Sequence, residues 1–150
     1  MKLSSEAFKQ NGKIPSKYTC QGLDINPPLE ISDVPEGTKS LTLIMDDPDV
    51  PERIRKDRLF VHWVVYNIDP NVREIKEGIP SLGTLGQNSG GMSRYTGPCP
   101  PDKEHRYFFK LYALDSRLSL QEGATKEAVL KTMEGHILAQ CELIGRFEKS

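Results

Sequence analysis

The segment from Leu41 to Ile68 constrains the fold more than any other part of the chain. Leu41-Thr42-Leu43-Ile44-Met45 is an apolar run that stops at Asp46-Asp47-Pro48-Asp49-Val50-Pro51. After a polar stretch from Glu52 to Arg58, apolar character resumes in Phe60-Val61-His62-Trp63-Val64-Val65-Tyr66-Asn67-Ile68. That second run is rich in β-branched and aromatic residues and too short for a typical helix, which predicts a strand. Regular alternation puts His62 on one face with Phe60, Val64 and Tyr66, and Val61, Trp63 and Val65 on the other. Both faces are apolar, as in a strand covered on both sides. An imidazole in that setting needs a partner, because an unpaired buried polar group is costly. Asp47, on the loop, is the nearest candidate. The prolines bracketing that loop predict a rigid connection and raise the prospect of a cis Asp47–Pro48 bond.

The remaining segments arrange themselves around this unit. Asn11-Gly12, Ile14-Pro15-Ser16, Gly22 and Asn26-Pro27-Pro28 punctuate short candidate strands, with Leu29-Glu30-Ile31 entering one and Val34-Pro35-Glu36-Gly37-Thr38 turning out of it. Asp69-Pro70 ends the second long strand, since proline has no N–H for a ladder. From Ile79 to Pro101 the chain is loop-like and rich in glycine and proline, and loops of that length in compact domains are often functional. It leads into His105-Arg106-Tyr107-Phe108-Phe109-Lys110-Leu111-Tyr112-Ala113-Leu114, a strand with His105, Tyr107, Phe109 and Leu111 on one face. Ser119-Leu120-Gln121-Glu122 fits a capping box. Thr125 then caps a longer helix whose Leu130, Met133, Ile137, Cys141 and Ile144 form one apolar stripe. His136 lies beside that stripe and is expected to be structural. Strands first and helix late predict an antiparallel β-rich single domain, residues 1–150, with one packed helix.

Several function classes are disfavoured. A net charge of −1, with both signs interspersed, provides no field for nucleic acid or an acidic membrane surface. No apolar run approaches membrane-spanning length, and the first residues lack a signal-peptide core. Cys20, Cys99 and Cys141 are odd in number and widely spaced, which favours three reduced thiols and a cytoplasmic location. No G-x-S-x-G elbow or Walker loop supplies a nucleophile or a nucleotide cradle.

The chemical candidates are Asp47, His62, His105 and Tyr107, with the Gly97-Pro98-Cys99-Pro100-Pro101 loop just before His105. Glycine lets backbone approach a ligand, proline fixes the loop, and successive N–H groups can make an anion-binding concavity. Two imidazoles add donors, charged where a carboxylate lies near. Three outcomes are open: a small preformed anion pocket, a hydrolytic enzyme using Asp47, His62 and His105 as acid–base groups, or a two-histidine, one-carboxylate metal site. The first is favoured, with no catalysis and no cofactor expected.

The order of these motifs resembles the phosphatidylethanolamine-binding protein family, also called Raf kinase inhibitor-like, in its short bacterial and archaeal branch. The resemblance runs through Ile14-Pro15, Tyr18-Thr19-Cys20, Asn26-Pro27-Pro28-Leu29, Asp47-Pro48-Asp49-Val50-Pro51, His62-Trp63-Val64-Val65-Tyr66-Asn67-Ile68, Gly97-Pro98-Cys99-Pro100-Pro101 and His105-Arg106-Tyr107. It implies a mostly β fold of two antiparallel sheets, sandwich-like with Greek-key connections, and a C-terminal helix packed on them. It also implies that Asp47, Pro48, His62, Gly97, Pro100, His105 and Tyr107 bind phosphate-like anions such as a phospholipid head group. A protein partner, modulated as a kinase or protease inhibitor would, and a homodimeric assembly are further expectations from the resemblance.

Overall fold

The computed structural model describes Met1–Ser150. In chain order the strands are β1 (Lys2–Ser4), β2 (Gly12–Lys13), β3 (Leu29–Ser32), β4 (Ser40–Asp47), β5 (Phe60–Ile68), β6 (Glu74–Ile75), β7 (Thr84–Leu85), β8 (His105–Leu114) and β9 (Ile137–Phe147). A single turn of 3₁₀-helix spans Ser16–Tyr18, and α1 spans Lys126–Met133. β1, β3 and β6 form a small three-stranded sheet, and the others form a six-stranded sheet ordered β2-β9-β8-β4-β5-β7. Pairing is antiparallel throughout except between β2 and β9, which run parallel.

β4 is central in the larger sheet and every one of its residues is buried. One face packs towards the small sheet, where Leu41, Leu43 and Met45 join Trp63, Val65, Phe109, Leu111, Leu29, Ile31 and Ile75 in one apolar cluster. The other face carries Ile44, Val64, Tyr66 and Leu114 beneath Val129 and Met133 of α1. The two-sided burial read from the composition of β5 is therefore observed, with a small sheet on one side and a helix on the other.

Alternation breaks at the position that matters most. Met45 pairs with Trp63 but Asp46 pairs with Val61, so His62 is an extra residue, a β-bulge, with no partner on β4. The bulge sends Val61 to the α1 side with Val64 and Tyr66, and turns the His62 ring towards Tyr107 at a centroid distance of 5.3 Å. The expected grouping of His62 with Val64 and Tyr66 is corrected accordingly, since a period-two pattern cannot anticipate an inserted residue.

The predicted long C-terminal helix is corrected too. Thr125 does cap α1, its side chain accepting from the Ala128 N–H at 3.2 Å, but the helix ends at Met133. Gly135 takes φ +80°, the left-handed geometry that terminates helices. Residues Ile137–Phe147 are instead β9, paired along its length with β8. Its inner residues Leu143 and Phe147 are buried, with Ala139 and Cys141 packed against the same cluster. A two-residue alternation was present in this segment, yet the three- and four-residue spacing of its apolar side chains imitated a helix stripe. His136 sits in the turn between α1 and β9, where Nδ1 meets Asp115 Oδ1 at 2.8 Å.

Cys20 and Cys99 form a disulfide across a sequence separation of 79, with Cα atoms 5.5 Å apart, and Cys141 alone is a free thiol. The expectation of three reduced thiols fails, because sequence distance says nothing about which cysteines the fold brings together. The cytoplasmic expectation loses the support it drew from them. No helix is long and apolar enough to cross a membrane.

Candidate functional site

The ends of β4, β5 and β8 lie side by side at one end of the large sheet, and the loop from Thr96 to Pro101 closes over them. Together they enclose a cleft of about 300 Å³. Asp47, His62, Gly97, Pro100, His105 and Tyr107 all line it, so the structure gathers six of the seven predicted residues. Pro48 is not among them and lines a neighbouring hollow with Asp49 and Asp102. Every peptide bond is trans, including Asp47–Pro48. Val50, Ile54, Phe60, Thr96, Cys99 and Pro101 complete the walls, none of them singled out as a binding residue in the sequence.

Asp47 and His105 form the rigid side of the cleft. His105 is fully buried; its Nδ1 lies 2.6 Å from Asp47 Oδ2 and its Nε2 lies 2.7 Å from Asp102 Oδ1. Two carboxylate acceptors on the two ring nitrogens call for a proton on each, which is the imidazolium form. Burial opposes that charge, but the bonds to Asp47 and Asp102 outweigh it and raise the His105 pKa. Burial likewise raises Asp47, against the hydrogen bonds from His105 and the Asp49 N–H that favour its ionised form. The Asp49 N–H donates to Asp47 Oδ1 at 2.8 Å, a turn in which the carboxylate orders its own loop. Asp49 in turn takes a bidentate bond from Arg106, Nε to Oδ2 at 3.0 Å and Nη2 to Oδ1 at 2.8 Å. The acidic loop is thereby pinned to β8, as its expected rigidity requires.

His62 has a different partner from the one anticipated. Its Nδ1 lies 2.6 Å from the Thr96 carbonyl oxygen, and Asp47 is engaged with His105 instead. A carbonyl only accepts, so Nδ1 carries the proton. Burial pulls the His62 pKa down to about 4 despite that bond. The neutral ring leaves Nε2 as an acceptor with no protein partner. Tyr107, fully buried two residues beyond His105, has a hydroxyl with no hydrogen-bond partner. Burial first, then the charge of Asp47 and the closeness of its carboxylate as an acceptor just beyond hydrogen-bond distance, push its pKa well up, so it is a neutral phenol.

The loop wall depends on Gly97. A Cβ there would lie 2.3 Å from Asp24 Oδ1 and 2.5 Å from the Tyr18 carbonyl oxygen. Its absence lets the loop press against residues 18–24, where the Gly97 N–H donates to Asp24 Oδ1 at 2.7 Å. The Cys20 N–H donates to Pro98 O at 3.1 Å, and the Cys20–Cys99 disulfide closes the same junction. The expected concavity of free N–H groups is not formed. Gly97 is already bonded, three of the next four residues are prolines, and Cys99 alone keeps an unshared N–H.

Nor do Asp47, His62 and His105 make a metal triad, since no group of three such side chains is placed to hold an ion. Both nitrogens of His105 already face carboxylates. Asp102, which holds one of them, was missed in the sequence because one acidic residue in a polar loop carries no periodic or motif signal. Ser89 bonds to the β5 backbone, its Oγ accepting from the Val61 N–H at 2.7 Å, and helps hold the bulge.

The profile of the family described as phosphatidylethanolamine-binding protein matches residues 4–148. A relative from Chlamydia trachomatis is 52% identical over 149 residues, covering 99% of each chain. Another from Methanothermobacter thermautotrophicus is 47% identical, again over 99% of each. The crystal structure of a phosphatidylethanolamine-binding protein homolog from Chlamydia trachomatis superposes with a TM-score of 0.97 at 51% identity, covering 99% of this chain and 97% of that one. An Escherichia coli structure, described as a new member of the mammalian family, superposes at 0.87 with 27% identity, covering 99% and 98%. A profile match across nearly the whole length, with relatives near half identical in bacteria and archaea, places the chain in the phosphatidylethanolamine-binding protein family.

Proposed function

We propose that this protein is a binding protein whose cleft between the ends of β4, β5 and β8 holds a small phosphate-bearing group. The observation that carries the proposal is the Tyr107 hydroxyl, fully buried at the cleft without a hydrogen-bond partner. Buried polar groups are normally satisfied, and an orphan on a cavity wall is satisfied by what enters the cavity. His62 Nε2, also without a hydrogen-bond partner in the protein, belongs to the same cleft lining. Family membership supports the choice of a phosphate-bearing ligand.

Binding is favoured over hydrolysis by the state of His105. Its two nitrogens are held by Asp47 and Asp102, so it has no free site to accept or deliver a proton. His62 is neutral and too weak a base to activate water near neutral pH. The histidines thus build the cleft more than they charge it.

Titration with inorganic phosphate at pH 6, followed by NMR of the histidine and tyrosine ring protons, tests the proposal. Shifts are expected at His62 and Tyr107 and none at His136. Tyr107→Phe removes a hydrogen bond to a charged group and weakens binding about ten- to hundredfold. Shifts confined to His136, or none at all, would place the ligand elsewhere.

A further inference from the structure

A second hollow, of about 190 Å³, shares no lining residue with the cleft. It lies among residues 24–26, residues 78–80, Leu85 of β7 and residues 94–95. Trp63, the residue after His62, has its ring in the main apolar cluster and meets Tyr95 edge to face, with centroids 5.4 Å apart. Ile79 and Leu85 extend this apolar lining. Two nearly buried side chains bring an unpaired polar atom to it. Trp63 is 3% exposed, and its indole N–H has no acceptor in the protein. Asn26 is 2% exposed; its Nδ2 donates to the Pro27 and Lys76 carbonyl oxygens at 3.1 and 3.0 Å, and its Oδ1 accepts from no protein group. Side chains buried to this degree are normally paired, so one unmet donor and one unmet acceptor in a single hollow point to an occupant. Asp24 and Arg94 add one charge of each sign to the same lining and form no ion pair, with each other or elsewhere. Asp24 accepts from the Gly97 N–H through Oδ1, which leaves Oδ2 free.

We infer that this hollow binds a free α-amino acid with an apolar side chain, taken as its zwitterion. The lining supplies two donors, Arg94 and the Trp63 N–H, and two acceptors, Asp24 and Asn26 Oδ1, with one of each charged. A carboxylate accepts from the donors, an ammonium donates to the acceptors, and the side chain lies against Trp63, Tyr95 and Leu85. A simple carboxylate or a simple amine would meet one half of the set and leave the other without a partner. Size agrees with this class, because cavities for drug-sized ligands start at about 300 Å³ and this hollow is smaller. An apolar lining with a few convergent polar groups is also the usual make-up of a small-molecule site. The inference is independent of the phosphate cleft and does not rest on that reading.

Trp63 is the only tryptophan in the chain, so the single indole N–H resonance reads this site directly. The test titrates the intact protein with L-leucine, N-acetyl-L-leucine and L-leucinamide and follows that resonance by NMR. Leucine should move it saturably as the carboxylate takes the N–H. N-acetylleucine, which lacks the ammonium, and leucinamide, which lacks the carboxylate, should each bind about ten- to hundredfold more weakly, the loss of one charge-assisted hydrogen bond. Arg94→Gln, at an exposed position, should weaken leucine by the same factor and leave leucinamide unchanged. Asp24→Asn, which keeps an acceptor for the Gly97 N–H, should weaken leucine and leave N-acetylleucine unchanged. An indole resonance that leucine fails to move overturns the inference, and so do equal affinities for the three ligands. Unaltered leucine binding by Arg94→Gln overturns it as well. Shifts confined to the Tyr107 ring protons would put leucine in the cleft and have the same consequence.

Discussion

Acidification should destabilise this protein through His62, and the size of the effect follows from where the ring sits. In the unfolded chain a histidine titrates near 6.5. In the folded protein burial holds His62 down to about 4. Between those values the unfolded state binds one more proton than the native state, so stability rises with pH. The contribution is fully present above about pH 6.5 and is lost as pH falls towards 4. A gap of about two and a half pH units, at about 1.36 kcal/mol each, makes it about 3 kcal/mol. Other groups titrate nearby and must be separated. His105 and Asp47, both raised, add stability that is lost as pH rises, which is the opposite slope. Asp49 and Asp102, both lowered, lose theirs only below about pH 3.9. The informative quantity is therefore the difference between the wild type and His62→Asn, whose side-chain N–H can still donate to the Thr96 carbonyl but which does not titrate. Urea denaturation at half-unit steps from pH 7.5 to 4 should show the wild type losing about 3 kcal/mol relative to the variant, with most of the change below pH 6.5. Parallel curves would refute the reasoning, because they would mean that His62 takes up its proton in the fold as readily as in the unfolded chain.

The Asp47–His105 pair should behave as a unit. His105→Leu leaves a buried carboxylate without its cation and should destabilise by about 3–5 kcal/mol in urea denaturation at pH 6. Adding Asp47→Leu should then cost about 1–3 kcal/mol less than the two single effects summed, and strict additivity would show that the pair is not coupled. Reduction of Cys20–Cys99 releases a constraint spanning 79 residues, for which loop-closure entropy sets a ceiling of about 4.5 kcal/mol. Chemical denaturation with and without dithiothreitol should show a loss of about 2–4 kcal/mol, absent in Cys20→Ser/Cys99→Ser. An unchanged midpoint would mean that the disulfide does not hold the folded state.

The long strands β5 and β8 and half of the twelve cleft residues were legible in the sequence. β5 and β8 carry β-branched and aromatic residues bounded by prolines and polar turns, and both were delimited as they stand, Phe60–Ile68 and His105–Leu114. Local composition suffices there because a strand covered on both faces needs little beyond apolar side chains of the right shape. The motif order identified the family for the same reason: it is a property of the chain, not of its folding. What each side chain does was decided only by the tertiary structure. His62 was expected to pair with Asp47, but a single bulge residue turns it to Thr96, and a bulge depends on how two strands register across space. His105 takes Asp47 instead, together with Asp102 from a loop that carries no signal of its own. The fate of residues 137–147 was settled the same way, because their apolar spacing fits a helix stripe and a strand alike. Gly135 stops α1, and the free edge of β8 supplies eleven residues with hydrogen bonds that an isolated helix would have had to make for itself. Sequence patterns record which residues avoid water; partners, charges and protonation states arise only when distant segments meet, as Cys20 meets Cys99 behind the wall of the cleft.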